Sequence, residues 1–168
     1  LHKSINSPMN YLIQGGSEQF FNHIDARTVR LMLGDEYFFQ LERFGVVRNP
    51  FEKVKSAFAM HYVRCRGDYS VDRAIEETWS EIDKYCDKEG KQLLNNLIKY
   101  EELKFGLSNV FKKVGIPFKK LNVFDKSEFK KMCSAEFSLN KLKREKILRK
   151  FKWEFENFYS EDECLLGS

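Results

Sequence analysis

Apolar residues along this chain fall into short runs whose spacing switches between the strand and the helix period. The stretch Ser7-Pro8-Met9-Asn10-Tyr11-Leu12-Ile13 carries a hydroxyl at a cap position and proline at the first helical position. It predicts a helix over 7–13, closed by Gly15-Gly16. Over 25–33, Val29, Met32 and Leu33 recur at helical spacing between a capping Asp25 and a terminating Gly34. Phe44-Gly45-Val46-Val47 is too short for a helix and apolar throughout, which predicts a strand buried on both faces. Asn49 then caps a new helix, with Pro50 first in it and Phe51, Val54, Phe58, His61, Tyr62 and Cys65 along one stripe.

Farther along, a helix over 71–85 gathers Ala74, Ile75, Trp79 and Ile82. Residues 96–100 (NLIKY) read as a second short strand, followed by a helix over 103–114 that ends in Gly115-Ile116-Pro117. A long amphipathic helix over 138–159 carries Leu142, Ile147, Leu148, Phe151, Phe155 and Phe158. Strands alternating with helices predict an α/β fold: one domain over 1–168, with a short, largely parallel sheet flanked by helices and a helix-rich C-terminal half. In such sheets ligands sit at the carboxyl ends of strands, which is where Arg48 and Tyr100 fall.

Hydrophobic residues at 42% and charged residues at 32% describe a globular chain rather than a disordered one. No apolar run approaches the roughly 18 residues of a membrane span. A net charge of +4 attracts anions mildly but is too small to announce nucleic-acid binding, and glutamates interleave the lysines of the tail. The cysteines, Cys65, Cys86, Cys133 and Cys164, lack metal-ligand spacing. They read as thiols of a reducing compartment, hence a cytoplasmic chain, with two disulfides as the alternative.

Arg48 is a cation at the end of an apolar strand, directly before a helix. It is either a strand end meeting solvent or an anion site, in which the guanidinium and the helix's free N–H groups hold a phosphate. Ser56, off the apolar stripe of that helix, can reach the same anion or face water. The first residues, LHKSINSP, offer a lysine, small polar groups and a helix start: a phosphate-binding turn, or a terminus in which Ser7 merely caps. His23, before the capped helix, is a candidate general base or a surface residue. His61, on the apolar stripe, is read as packing.

In this order the signals resemble the sulfotransferase superfamily that uses 3′-phosphoadenosine 5′-phosphosulfate (PAPS), and most of all the short bacterial members of its carbohydrate-sulfotransferase-like branch. FGVVRNPFEKVKSAF is similar to the family's 3′-phosphate motif, with a serine eight residues after the arginine. HKSINS resembles its 5′-phosphosulfate loop. NHIDARTVRLMLG resembles the segment carrying a histidine, LIKYEELKFGLSNVFKKVGIP the strand and helix with Tyr-Glu-x-Leu, and KFKWEFENF the closing helix. The resemblance implies a P-loop-like three-layer domain, with the strand that feeds the lysine loop either upstream of residue 1 or missing from the site, and transfer of a sulfuryl group to an acceptor hydroxyl or amine, with carbohydrate the acceptor class of the branch.

By the same resemblance, His23 is the base and Lys3 neutralises charge at the leaving phosphate. Lys3, Ser4, Asn6 and Ser7 surround the 5′-phosphosulfate, Arg48 and Ser56 hold the 3′-phosphate, and Tyr100 lies near the adenine. No metal is implied. Ile5 and Asn6 stand where the family loop has small residues, including glycine, so a sulfotransferase-like module without catalysis is a rival expectation. A P-loop small-molecule kinase is another, though its glycine-rich GxxxxGK[ST] sequence is absent. The segments 67–91 and 118–137 are expected to shape the acceptor pocket.

Overall fold

The computed structural model describes residues 24–118 and 136–160 in full, and the backbone of 9–13 and 16–20. The described chain is α/β with helices dominant. Two strands, β1 (Met9–Ile13) and β2 (Gly16–Phe20), form an antiparallel hairpin in which Ile13 faces Gly16. That overturns the helix expected over 7–13. Ser-Pro is a good helix opening, but Tyr11-Leu12-Ile13 favours a pleated ribbon.

The helices α1 (Ala26–Leu33) and α2 (Asp35–Gln40) meet at Gly34. Asp25 caps α1 as expected, accepting from the Thr28 N–H at 2.9 Å. After them come β3 (Phe44–Val47) and α3 (Pro50–Arg64), then α4 (Val71–Glu77) and α5 (Glu81–Tyr85). The strand β4 (Asn96–Lys99) leads through a 3₁₀ turn, Tyr100–Glu102, into α6 (Leu103–Lys113). The described chain closes with α7 (Lys141–Lys150) and α8 (Lys152–Asn157). β3 and β4 pair as a short two-stranded parallel sheet.

The chain gathers into two compact units and passes between them three times, within β3, between Ser80 and Glu81, and within β4. The first draws on Leu1–Gly45 and Glu81–Leu97. Its core sets Ala26, Phe38 and Leu93 against Val29, Leu33 and Leu94. Arg43 ties this unit together, donating through Nη1 to the Phe38 carbonyl at 3.0 Å and through Nε to Asn95 Oδ1 at 2.8 Å. At Gly45 the backbone comes so close to Leu94 and Tyr85 that a Cβ would sit 2.7 Å from each side chain.

The second unit draws on Val46–Ser80 and Ile98–Ser168. Val54, Phe58 and Ala59 of α3, Ala74 and Ile75 of α4, and Ile147 and Phe151 of the tail make its main core. His61 stacks on Tyr69 with ring centroids 5.0 Å apart, so its role as a packing residue holds. Asp72 of α4 takes Lys146 of α7 at 2.6 Å, and that bond holds its carboxyl below the usual aspartate range. A second cluster sets Ile98 of β4 against Leu107 and Val110 of α6.

Several expectations are corrected in detail. β3 is buried on one face only: Gly45 and Val47 are buried, while Phe44 is exposed, because only alternate positions of a strand share a face. The helix over 71–85 divides at Thr78–Ser80. There the Thr78 hydroxyl turns back on the Ala74 carbonyl at 2.6 Å, and Ser80 Oγ donates to the buried Glu154 carboxylate at 2.6 Å. The tail helix breaks at Phe151 (φ −106°, ψ 31°), and Leu142 is exposed rather than part of the apolar stripe. Cys65 ends α3 on the surface, and neither it nor Cys86 forms a disulfide. No helix among the described residues is long and apolar enough to cross a membrane.

Gly106 marks the tightest approach of α6 to β4: an added Cβ would strike Ile98 Cγ2 and lie 3.0 Å from Cγ1. Gly106→Ala gains about 1 kcal/mol of helix propensity, but overpacking against a β-branched buried side chain costs roughly 1–3 kcal/mol. The expected net result is destabilisation in urea unfolding. Combining it with Ile98→Ala should cost less than the two single losses added together.

Candidate functional site

Parallel pairing makes β3 and β4 leave the sheet at the same edge, so the residues after them become neighbours. Arg48 follows β3, and Tyr100 follows β4. The Arg48 guanidinium carbon lies 4.7 Å from the centroid of the Tyr100 ring. Attraction of a cation to a ring face is worth on the order of 0.5–2 kcal/mol, depending on how far water is excluded. Here the arginine side chain is 20% exposed and Tyr100 48% exposed, so the pair is half-screened.

What Nε of this guanidinium lacks is an acceptor. Arg48 Nε is buried without a hydrogen-bond partner, and Nη2 lies 3.7 Å from Glu52 Oε2, an attraction too long to be a hydrogen bond. A buried donor left unmet costs about 1–3 kcal/mol. An anion oxygen reaching Nε would recover that cost. Stacking uses the faces of a guanidinium and hydrogen bonding its edge, so the Tyr100 contact leaves those donors available.

The free N–H groups expected at the start of α3 are not available for a ligand. Asn49 Oδ1 accepts from the N–H groups of Phe51 at 3.0 Å and Glu52 at 3.3 Å, and the Asn49 carbonyl accepts from that of Lys53 at 2.9 Å. Asparagine is therefore a complete cap, as its position implied, and for that reason the anion site is built from side chains. Ser56 is half-buried on the second turn of α3. Arg48, Glu52 and Ser56 follow one i, i+4 row, with Glu52 in the middle. An anion spanning Arg48 and Ser56 therefore has to displace the Glu52 carboxylate, whose side chain is 37% exposed.

Arg48 and Tyr100 are thus brought together. Lys3, Ser4, Asn6, Ser7 and His23 lie outside the described residues. Three neighbours went unread in the sequence. Tyr159, after α8, is buried, and its hydroxyl lies 2.8 Å from Glu101 Oε2 and 3.3 Å from the Val47 carbonyl. Lys99 Nζ lies 5.2 Å from the centroid of the Tyr159 ring. Glu101 was visible only as the residue beside Tyr100, and no local pattern tied Tyr159 to a strand end.

Hollows also lie among the described residues. One, of about 350 Å³, is lined by Leu148, Lys152, Phe155, Glu156, Tyr159 and Ser160. Another, of about 290 Å³ and within the first unit, sets Ile24, Val29, Phe38 and Leu94 against a rim that includes Arg43 and Lys84. No family model, no curated protein and no solved structure matches this chain.

Because Asn49 satisfies two orphan N–H groups at once, Asn49→Ala should lower stability by about 1–2 kcal/mol, whereas Asn49→Asp should keep most of it. Thermal unfolding with circular dichroism checks both.

Proposed function

We propose that this chain is a PAPS-dependent sulfotransferase domain with the P-loop-like three-layer arrangement that its motifs resemble. The observation that carries the proposal is the buried Nε of Arg48, a donor without a protein acceptor at the carboxyl edge of a parallel strand pair. A phosphate oxygen fits that donor, and Tyr100 beneath the guanidinium offers a ring surface for a nucleotide base.

PAPS supplies an activated sulfuryl group and needs no metal to do so. Arg48, with Ser56, holds the 3′-phosphate, and Lys3, Ser4, Asn6 and Ser7 hold the 5′-phosphosulfate. His23 takes the proton from the acceptor hydroxyl or amine as that atom bonds to sulfur. The bond between sulfur and the 5′-phosphate oxygen breaks, and its electron pair leaves on an oxygen that Lys3 neutralises. A carbohydrate is the acceptor class we favour.

One observation favours a second reading, a nucleotide-binding module without catalysis. The segment after the lysine loop is the strand β1, not a helix whose N-terminus would support a phosphosulfate. Binding and turnover separate the two.

Calorimetric titration of 3′-phosphoadenosine 5′-phosphate should show binding that Arg48→Ala weakens by at least about 10-fold, as expected for loss of a charge-assisted contact. Unchanged affinity would remove the nucleotide assignment, and a thermal shift with ATP–Mg²⁺ instead would point to a kinase. For the enzyme, His23→Ala should abolish sulfuryl transfer from PAPS while leaving nucleotide affinity within about twofold, since a general base acts on the acceptor. A wild-type chain that binds but never turns over is the module.

A further inference from the structure

The contacts of Tyr159 join the two halves of the Arg48–Tyr100 pair. Its hydroxyl lies 3.3 Å from the carbonyl of Val47, which belongs to the same peptide unit as the Arg48 nitrogen. It lies 2.8 Å from the carboxylate of Glu101, the residue after Tyr100. A phenol has one hydrogen to give, and both partners are acceptors, so the shorter contact to Glu101 takes most of it and Val47 the remainder. Both bonds are long in sequence, 112 and 58 residues.

We propose that Tyr159 is a positioning residue: its hydroxyl locks the exits of β3 and β4 to each other and so aims the Arg48 donors at the anion. It touches neither the anion nor the reacting atoms. Burial of the ring keeps water from competing for the two bonds, and Lys99 over the ring face limits its tilt. Without the hydroxyl, the Val47–Arg48 peptide and the Tyr100–Glu101 turn lose a tie that reaches past the paired ends of β3 and β4. The guanidinium then samples orientations in which Nε no longer points where the ligand oxygen sits, and binding has to supply the lost order.

The inference rests on the anion-site reading of Arg48, so the test needs one arm that depends on ligand and one that does not. In the first, 3′-phosphoadenosine 5′-phosphate is titrated into the full chain and its variants. Tyr159→Phe should weaken binding roughly 3–10-fold, the scale of one net hydrogen bond. Glu101→Leu should weaken it by a similar factor, and Glu101→Gln, which keeps an acceptor for the phenol, should restore it to near the parent value. The double variant Tyr159→Phe/Glu101→Leu should be no weaker than either single change, because both cut one link. Parent-like affinity in Tyr159→Phe, with Arg48→Ala still impaired, overturns the positioning role and leaves the anion site standing.

The second arm uses no ligand: the Arg48 Nε–H resonance in ¹⁵N–¹H spectra. Its shift and its solvent-exchange rate should change in Tyr159→Phe and recover in Glu101→Gln. A general loss of stability would move many resonances and the melting temperature without singling out this one. An Arg48 signal unchanged in Tyr159→Phe overturns the proposal even if the nucleotide never binds.

Discussion

Parallel pairing of two four-residue strands is the constraint on which the charged edge of this protein depends. Antiparallel partners would send their chains out at opposite ends. A parallel pair sends both out together, and it requires a long crossover, supplied here by α3, α4 and α5. The arginine after one strand and the tyrosine after the other are therefore neighbours by topology. The same geometry places Lys99 and Glu101 beside them, so cation, ring and carboxylate share an edge without any of them being close in sequence to Arg48.

Several described cations elsewhere in the second unit are committed. Lys146 holds Asp72, Lys150 donates to the Glu76 carbonyl at 2.5 Å, and Lys53 to that of Trp79 at 2.5 Å. Arg144 lies over the Phe51 ring. These side chains fasten elements to one another and offer a ligand little that is new. Arg48 differs in having a buried donor without an acceptor, a distinction of hydrogen-bond inventory rather than of charge. The modest net charge of the whole chain thus says little about where an anion would be held.

What could be read from the sequence was local. Asn49 and Pro50 specify a helix start by bonds and torsions within three residues, and Asp25 does the same for α1, so both caps stand where their sequence put them. β3 was recognisable by its brevity and apolarity, and the α/β alternation implied the shared edge of Arg48 and Tyr100. Features set by distant partners were not readable. The break at Thr78–Ser80 depends on Glu154, which is 74 residues from Ser80, and the one-sided burial of β3 depends on what covers each face. Met9–Ile13 went wrong through two local signals in conflict: a capping Ser-Pro pair lost to the pleated-ribbon preference of Tyr11, Leu12 and Ile13. The site was half legible for the same reason: Arg48 announces itself, whereas Tyr159 matters through bonds that no spacing rule encodes.

The buried Ser80–Glu154 bond has a consequence for the order in which the chain can be made. A ribosome completes α3 and α4 well before it has synthesised Ile147, Phe151 and Glu154. Until those residues emerge, Val54, Phe58 and Ile75 have no tail to cover them, and the hydroxyl of Ser80 has water as its partner. The second unit therefore cannot close as it is translated. Its apolar faces wait through the synthesis of some seventy further residues, an interval in which holdase chaperones have surface to grip and in which a chain stopped short of α8 would stay adhesive.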